Sequence, residues 1–146
     1  MEKLDSVIFY TLDKSIKTYR QFAQRRLTDA GVDITIDQWL VLNSIAEKPD
    51  ISQLEIAEKV FKDAASVTRI IDLLIKKGFL QRDAHQTDRR RFTLHITKEG
   101  RGLLRSVAKI VEQNRSAALN GISEKELNQM RQILNTIIDN CQKQMV

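Results

Sequence analysis

The sequence contains one cysteine, one proline and only five glycines among its 146 residues. A single cysteine, Cys141, excludes a disulfide framework within the chain and suits a reducing compartment. So few glycines and prolines favour helices over an all-β fold, which needs many turns. No apolar run approaches membrane-spanning length, and the N-terminal residues carry acids and lack a small-residue cleavage site. We therefore expect a cytoplasmic protein with no membrane association.

Patterns typical of catalysis or cofactor binding are also scarce. The two histidines, His85 and His95, have no partner at the spacing of a metal site or a catalytic triad. The glycines form no phosphate-binding loop. These features predict that the protein is not an enzyme and that it holds neither a metal nor a cofactor. Apolar residues nevertheless make up 42% of the chain, which is enough for a folded core.

Positive charge is present, but it is concentrated in one segment. Residues 59–91 contain nine lysines or arginines and four acids, and this excess equals the net charge of +5 of the whole chain. The other 113 residues are therefore neutral in sum. Such a local basic excess is typical of a surface that binds a polyanion such as nucleic acid.

The spacing of apolar residues predicts a mainly helical chain with one small β-hairpin. A long helix over 4–28 is followed by three shorter helices, then by strands near 79–82 and 92–96, and finally by two long helices. Side-chain caps are predicted at the starts of five helices, at Thr35, Ser52, Asp63, Thr97 and Ser123. In the helix after Ser52, we expect Leu54, Ile56 and Ala57 to face the inside.

The helix at about 64–77 has the features of a DNA-reading helix. Apolar residues share the side that must face the core, and they are Val67, Ile70, Ile71 and Leu74. Gly78 is the expected left-handed residue that ends the helix. Arg69 lies nearly opposite, flanked by Ser66 and Thr68. An arginine there can donate two parallel bonds to guanine O6 and N7 in the major groove. The alternative is an ordinary solvated helix face.

The hairpin that follows carries a basic tip at 84–91. Three adjacent arginines lie there, and a projecting arginine can enter the narrow minor groove. Asp88 is predicted to orient an arginine through a bidentate pair. The alternative is a solvated charge run in a turn. The residues that this reading places at DNA are Ser52, Gln53, Lys62, Ser66, Thr68, Arg69, Lys76, Asp88, Arg89, Arg90 and Arg91. For Ser52, capping alone is an equally good explanation.

The segment SQLEIAEKVFKDAASVTRIIDLLIKKGFLQRDAHQTDRRRFTLHITKEG resembles the winged-helix core of the MarR family of bacterial transcriptional regulators. The matching elements are ITIDQWLVL before the motif, VTRIIDLLIKKGFLQR as recognition helix and strand, Asp88-Arg89-Arg90 as the D-x-R wing, and LHITKEG after it. The resemblance implies one domain over 1–146, with a DNA-binding core at 35–97 and dimerisation helices at 1–34 and 98–146.

The resemblance also implies a homodimer that binds a pseudo-palindromic operator in double-stranded DNA, usually as a repressor. Small phenolic or otherwise lipophilic ligands, or oxidants, commonly relieve such binding. Arg90 falls on the family's wing arginine. Arg91 departs from the pattern, because a smaller or apolar residue is more usual there, and this leaves open which arginine enters the groove. The second hypothesis is a winged-helix module that binds a protein and not DNA, which fold alone does not decide.

Three further expectations concern the long helices. Their apolar stripes predict packing between two subunits; the alternative is that they fold back on their own core. Aromatic residues are candidates to line a pocket for a small-molecule effector, although each is also explained as ordinary core; they are Tyr10, Tyr19, Phe22 and Trp39. Cys141 is expected to be a buried structural residue, with an intersubunit disulfide as the alternative.

Overall fold

The computed structural model describes residues 1–84, 87 and 92–146. A short 3-10 helix, Leu4–Ser6, leads into the regular elements, which in chain order are α1 (Ile8–Asp29), α2 (Ile36–Glu47), α3 (Gln53–Val60), α4 (Ala64–Lys76), β1 (Leu80–Ala84), β2 (Phe92–Ile96), α5 (Lys98–Ala118) and α6 (Glu124–Gln144). This order confirms the predicted fold class: a mainly α winged helix-turn-helix with long N- and C-terminal helices.

The predicted helix caps are confirmed. Thr35, Ser52 and Ser123 each accept a hydrogen bond from the backbone N–H three residues later, and each capping box is closed in return by a glutamine or glutamate. The side chain of Asp63 accepts from Ser66 N at 2.7 Å. Gly78 has a φ of 84°, the left-handed conformation that ends α4. Local side-chain chemistry therefore sets the limits of α4.

The chain divides into two compact units, residues 1–114 and 115–146, and the division falls within α5. The hydrophobic core of the first unit is formed by buried residues of α1 to α5 and of the hairpin. Val67, Ile71 and Leu74 of α4 are fully buried in it, and Ile70 packs partly buried against it. This confirms the predicted core side of α4 and leaves its opposite side exposed.

One core prediction was wrong. Leu54 lies outside the core and is 68% exposed, whereas Ile56 and Ala57 are buried as expected. The buried side of α3 is completed by Val60, one turn after Ile56. At about 100° per residue, Leu54 lies more than a quarter turn away from the centre of that side.

The hairpin is antiparallel, with Leu80 opposite Ile96 and Ala84 opposite Phe92. Leu80 and Leu94 are buried and anchor it to the core. The first strand begins one residue later than predicted and extends further, to Ala84. On the face of the hairpin that also carries Leu80 and Leu94, the guanidinium carbon of Arg82 lies 5.3 Å from the centroid of the Phe92 ring.

The second unit contains α6, in which no residue is buried. Several apolar side chains of α6 are exposed, among them Met130, Ile133 and Ile138. Cys141 is exposed as well, so the prediction of a buried cysteine was wrong for the single chain. Within 1–84 and 92–146, no helix combines the length and apolar character needed to cross a membrane.

Candidate nucleic-acid interface

The exposed side of α4 begins with small residues. Ala64 and Ala65 are both exposed in its first turn, and Thr68 and Arg69 follow on the next. The backbone N–H of Ser66 holds the pKa of the Asp63 carboxyl below its ordinary value, so this cap stays ionised at neutral pH. Small side chains followed by a guanidinium are what a helix needs to sit deeply in a groove and reach a base edge.

Four of the predicted contact residues lie together. Arg69 Nη2 donates to Ser66 Oγ at 3.2 Å. Thr68 Oγ1 lies 3.0 Å from Ala64 O and 3.4 Å from Gln53 Oε1. The side chain of Gln53 thus brings the start of α3 next to the middle of α4. Ser66 with Arg69 and Thr68 with Gln53 thus form two hydrogen-bonded pairs at α4, and we call these four residues the α4 patch.

The basic residues near this patch differ in how they are neutralised. Four of them form ion pairs within the protein: Lys59 with Glu47, Lys62 with Asp37, Lys77 with Asp33, and Arg82 with Asp72. Arg69 and Lys76 form no ion pair with any residue that the structure describes. Of these six basic residues, Arg69 and Lys76 are therefore the most available to an external phosphate or base.

Lys62, predicted at the DNA, has a different setting from Arg69. Its side chain is 31% exposed, and its Nζ lies 3.2 Å from Asp37 Oδ2.

Ser52 is exposed, but its hydroxyl accepts a hydrogen bond from Glu55 N at 3.1 Å. The capping bond therefore explains a serine at position 52 without any contact to phosphate. Lys76 is exposed in the last turn of α4.

Further contacts join the wing and the start of α5 to α4. Asp72 of α4 pairs with Arg82 of β1 at 3.1 Å. Thr97 Oγ1 donates to Gly78 O at 2.6 Å and accepts from Gly100 N at 3.0 Å, so one hydroxyl joins the end of α4 to the start of α5. Only the Thr97 cap has a sequence signal. The Asp72–Arg82 pair depends on the fold bringing two distant positions together.

The predicted wing-tip residues Asp88, Arg89, Arg90 and Arg91 lie outside the described residues.

An open cleft in the described part of the chain is not lined by the predicted effector residues. This cleft of about 640 Å³ lies between α1 and the start of α2, and it is lined by residues that include Arg20, Gln24, Arg25, Thr28, Thr35 and Asp37. Tyr19 and Phe22 contact each other with ring centroids 6.5 Å apart. Trp39 packs against the core, and Tyr10 is exposed. An aromatic effector pocket therefore stays a prediction.

We compared the chain with family models and with solved structures. The MarR family model matches residues 34–92. A protein of unknown function from Listeria innocua is 34% identical, with 91% of each chain covered and a TM-score of 0.69.

Two more distant structures share the fold. One is BpsR of Bordetella bronchiseptica, a protein whose DNA binding is regulated by 6-hydroxynicotinic acid. It is 19% identical, the match covers 95% of this chain and 98% of that chain, and the TM-score is 0.84. The other is a mutant of MarR from E. coli in complex with operator DNA (20% identity, 87% of this chain and 90% of that chain, TM-score 0.79).

Proposed function

Because this chain belongs to the MarR family, whose structurally similar members include a regulator bound to operator DNA, we propose that it binds double-stranded DNA in a sequence-specific manner. It acts as a repressor by occupying a pseudo-palindromic operator as a homodimer. The observation that carries this proposal is the α4 patch. In this patch Arg69 follows two exposed alanines and forms no ion pair with any residue that the structure describes, on a helix that packs against the core and is capped by Asp63.

In this proposal α4 lies in the major groove. Arg69 leaves Ser66 and donates to guanine, while Thr68 and Ser66 contact bases or phosphates. Lys76 contacts the backbone at the other end of the helix. The N-terminus of α3, at Ser52 and Gln53, approaches an adjacent phosphate.

The wing contributes the remaining affinity. We propose that Arg89, Arg90 and Arg91 lie at the minor groove and that Asp88 orients one of them. A double substitution, Arg89→Ala with Arg90→Ala, should reduce the salt dependence of DNA binding by up to about 2 units in the slope of log K against log salt. The measurement is fluorescence anisotropy of a labelled duplex over a series of salt concentrations. An unchanged slope would remove the wing from the proposed interface.

Dimerisation is assigned to segments 1–34 and 98–146. Exposed apolar side chains on the N-terminal 3-10 helix, α1 and α6 support this assignment, because a soluble single chain rarely leaves so many uncovered; they include Leu4, Ile8, Phe9, Ile16, Met130, Ile133 and Ile138. Sedimentation equilibrium at micromolar concentration should give a species near twice the chain mass of 16.8 kDa. A species at the mass of a single chain would exclude a homodimer at that concentration.

A small aromatic acid or phenol is the proposed effector class. The support is that DNA binding of the structurally similar BpsR is regulated by 6-hydroxynicotinic acid. In this chain the proposed contacts are four aromatic residues of α1 and α2, namely Tyr10, Tyr19, Phe22 and Trp39. Quenching of Trp39 fluorescence, the signal of the single tryptophan, would report such binding directly.

A further inference from the structure

Two lysines flank the recognition helix α4, and both contact the first turn of α2. Lys62 lies just before the cap of α4, with its Nζ 3.2 Å from Asp37 Oδ2. Lys77 lies just after the last residue of α4, with its Nζ 3.1 Å from Gln38 Oε1. Consecutive side chains of α2 therefore hold both ends of the helix.

The same turn of α2 is tied to α1. Arg20 of α1 donates to the other carboxylate oxygen of Asp37. Gln24, one turn further along α1, accepts from Ile36 N at 3.0 Å. Asp37 thus joins a long N-terminal helix to the chain entering α4, and among the described residues no other carboxylate does so.

We propose that Asp37 is a positioning residue for DNA recognition: it sets the orientation of α4 relative to α1, and Lys62 acts through it without contacting phosphate. This inference rests on the proposed function. It differs from the sequence-based prediction, in which Lys62 belongs to the DNA-contacting surface.

Burial and charge support this role. The side chains of Asp37 and Lys62 are 34% and 31% exposed, so water screens their pair only partly. Partial burial acts to raise the pKa of Asp37, but hydrogen bonds from Arg20 and Lys62 outweigh it and hold the pKa below its usual value. Asp37 is therefore charged at neutral pH. Without that charge, two cations would remain next to each other and repel.

The test compares Asp37→Asn with Asp50→Asn, which changes the net charge equally. Asp50 is exposed and forms no ion pair with any described residue. Loss of an acid alone should leave binding to all DNA unchanged or slightly stronger, because the protein becomes more positive. A positioning role predicts that Asp37→Asn lowers the ratio of specific to non-specific affinity by about fivefold or more. Asp50→Asn should keep the wild-type ratio.

Lys62→Ala provides the second variant and a different readout. If Lys62 contacts phosphate, its removal should reduce the salt slope of binding by about 1 unit. If it acts through Asp37, the slope should stay unchanged and the specificity ratio should fall. The double variant with Asp37→Asn should then be no worse than Asp37→Asn alone. Circular dichroism melting of each variant verifies that it is folded at the temperature of the binding assay.

The outcomes separate the inference from the proposed function. Wild-type protein that binds all duplexes equally overturns the proposed function, and the inference with it. Wild-type protein that selects a sequence, with Asp37→Asn indistinguishable from Asp50→Asn, overturns the inference alone. A lower salt slope in Lys62→Ala also overturns it. A specificity loss confined to Asp37→Asn and Lys62→Ala, at an unchanged slope, supports it.

Discussion

Replacement of Gly100 by alanine is expected to destabilise the protein by about 3 kcal/mol, the upper part of the range for overpacked positions. A Cβ at this position would lie 2.2 Å from Phe79 O and 2.8 Å from Ile96 Cγ2. The carbonyl of Phe79 has little freedom to move, because it accepts a hydrogen bond from Thr97 N at 3.2 Å. The start of α5 would have to separate from the chain that joins α4 to the wing.

Gly102→Ala is the matched control, two residues further along the same helix. The nearest neighbour of a Cβ there is Arg105 Nη2, at 3.8 Å. Alanine at this position should stabilise the helix by about 0.5–1 kcal/mol, because glycine loses more backbone entropy on folding. Urea unfolding followed by circular dichroism at one fixed protomer concentration measures both effects. Similar shifts for the two variants would contradict the close contact at Gly100.

Arg69→Ala is expected to weaken binding to the specific operator by about 1–3 kcal/mol and to relax preference at one base pair. The reason is geometric: Arg69 is the guanidinium on the exposed side of α4, and among the described residues it is held only by its bond to Ser66. Affinities of the wild-type and variant proteins for a set of operators with single base changes give the measurement. An equal loss on every sequence would show that Arg69 contacts phosphate only.

Arg69→Lys separates charge from shape in the same assay. Lysine keeps the positive charge but lacks the planar fork that matches guanine O6 and N7. We expect Arg69→Lys to restore most of the non-specific affinity and little of the base preference. Full recovery of both would mean that charge alone is needed at this position.

Local features of the sequence were the most predictive of structure. Thr35, Ser52, Asp63 and Ser123 begin helices as expected, and Gly78 ends α4, because caps and left-handed stops depend on residues within one turn. The apolar pattern of α4 also identified its core side, and therefore the side that presents Arg69.

Predictions that depend on distant partners were less successful. Leu54 is apolar and near Ile56 in sequence, but the burial of α3 is decided by what packs against it. The prediction that Lys62 lies at the DNA stays a prediction, but its ion pair with Asp37, 25 positions earlier in the chain, was not predicted. Cys141 lies on a helix of which no residue is buried within the single chain. Composition and periodicity contain no information about such pairings.

Selection of bound sequences from random duplex DNA, at a stated salt concentration, tests the central claim most directly. A homodimer that places α4 in two successive major grooves should enrich an inverted repeat whose half-sites are about one helical turn apart, roughly 34 Å. With Arg69→Ala, the enriched repeat should lose its preference at one base pair of each half-site. Absence of any enriched sequence, or a single half-site without a repeat, would contradict sequence-specific binding by a two-fold dimer.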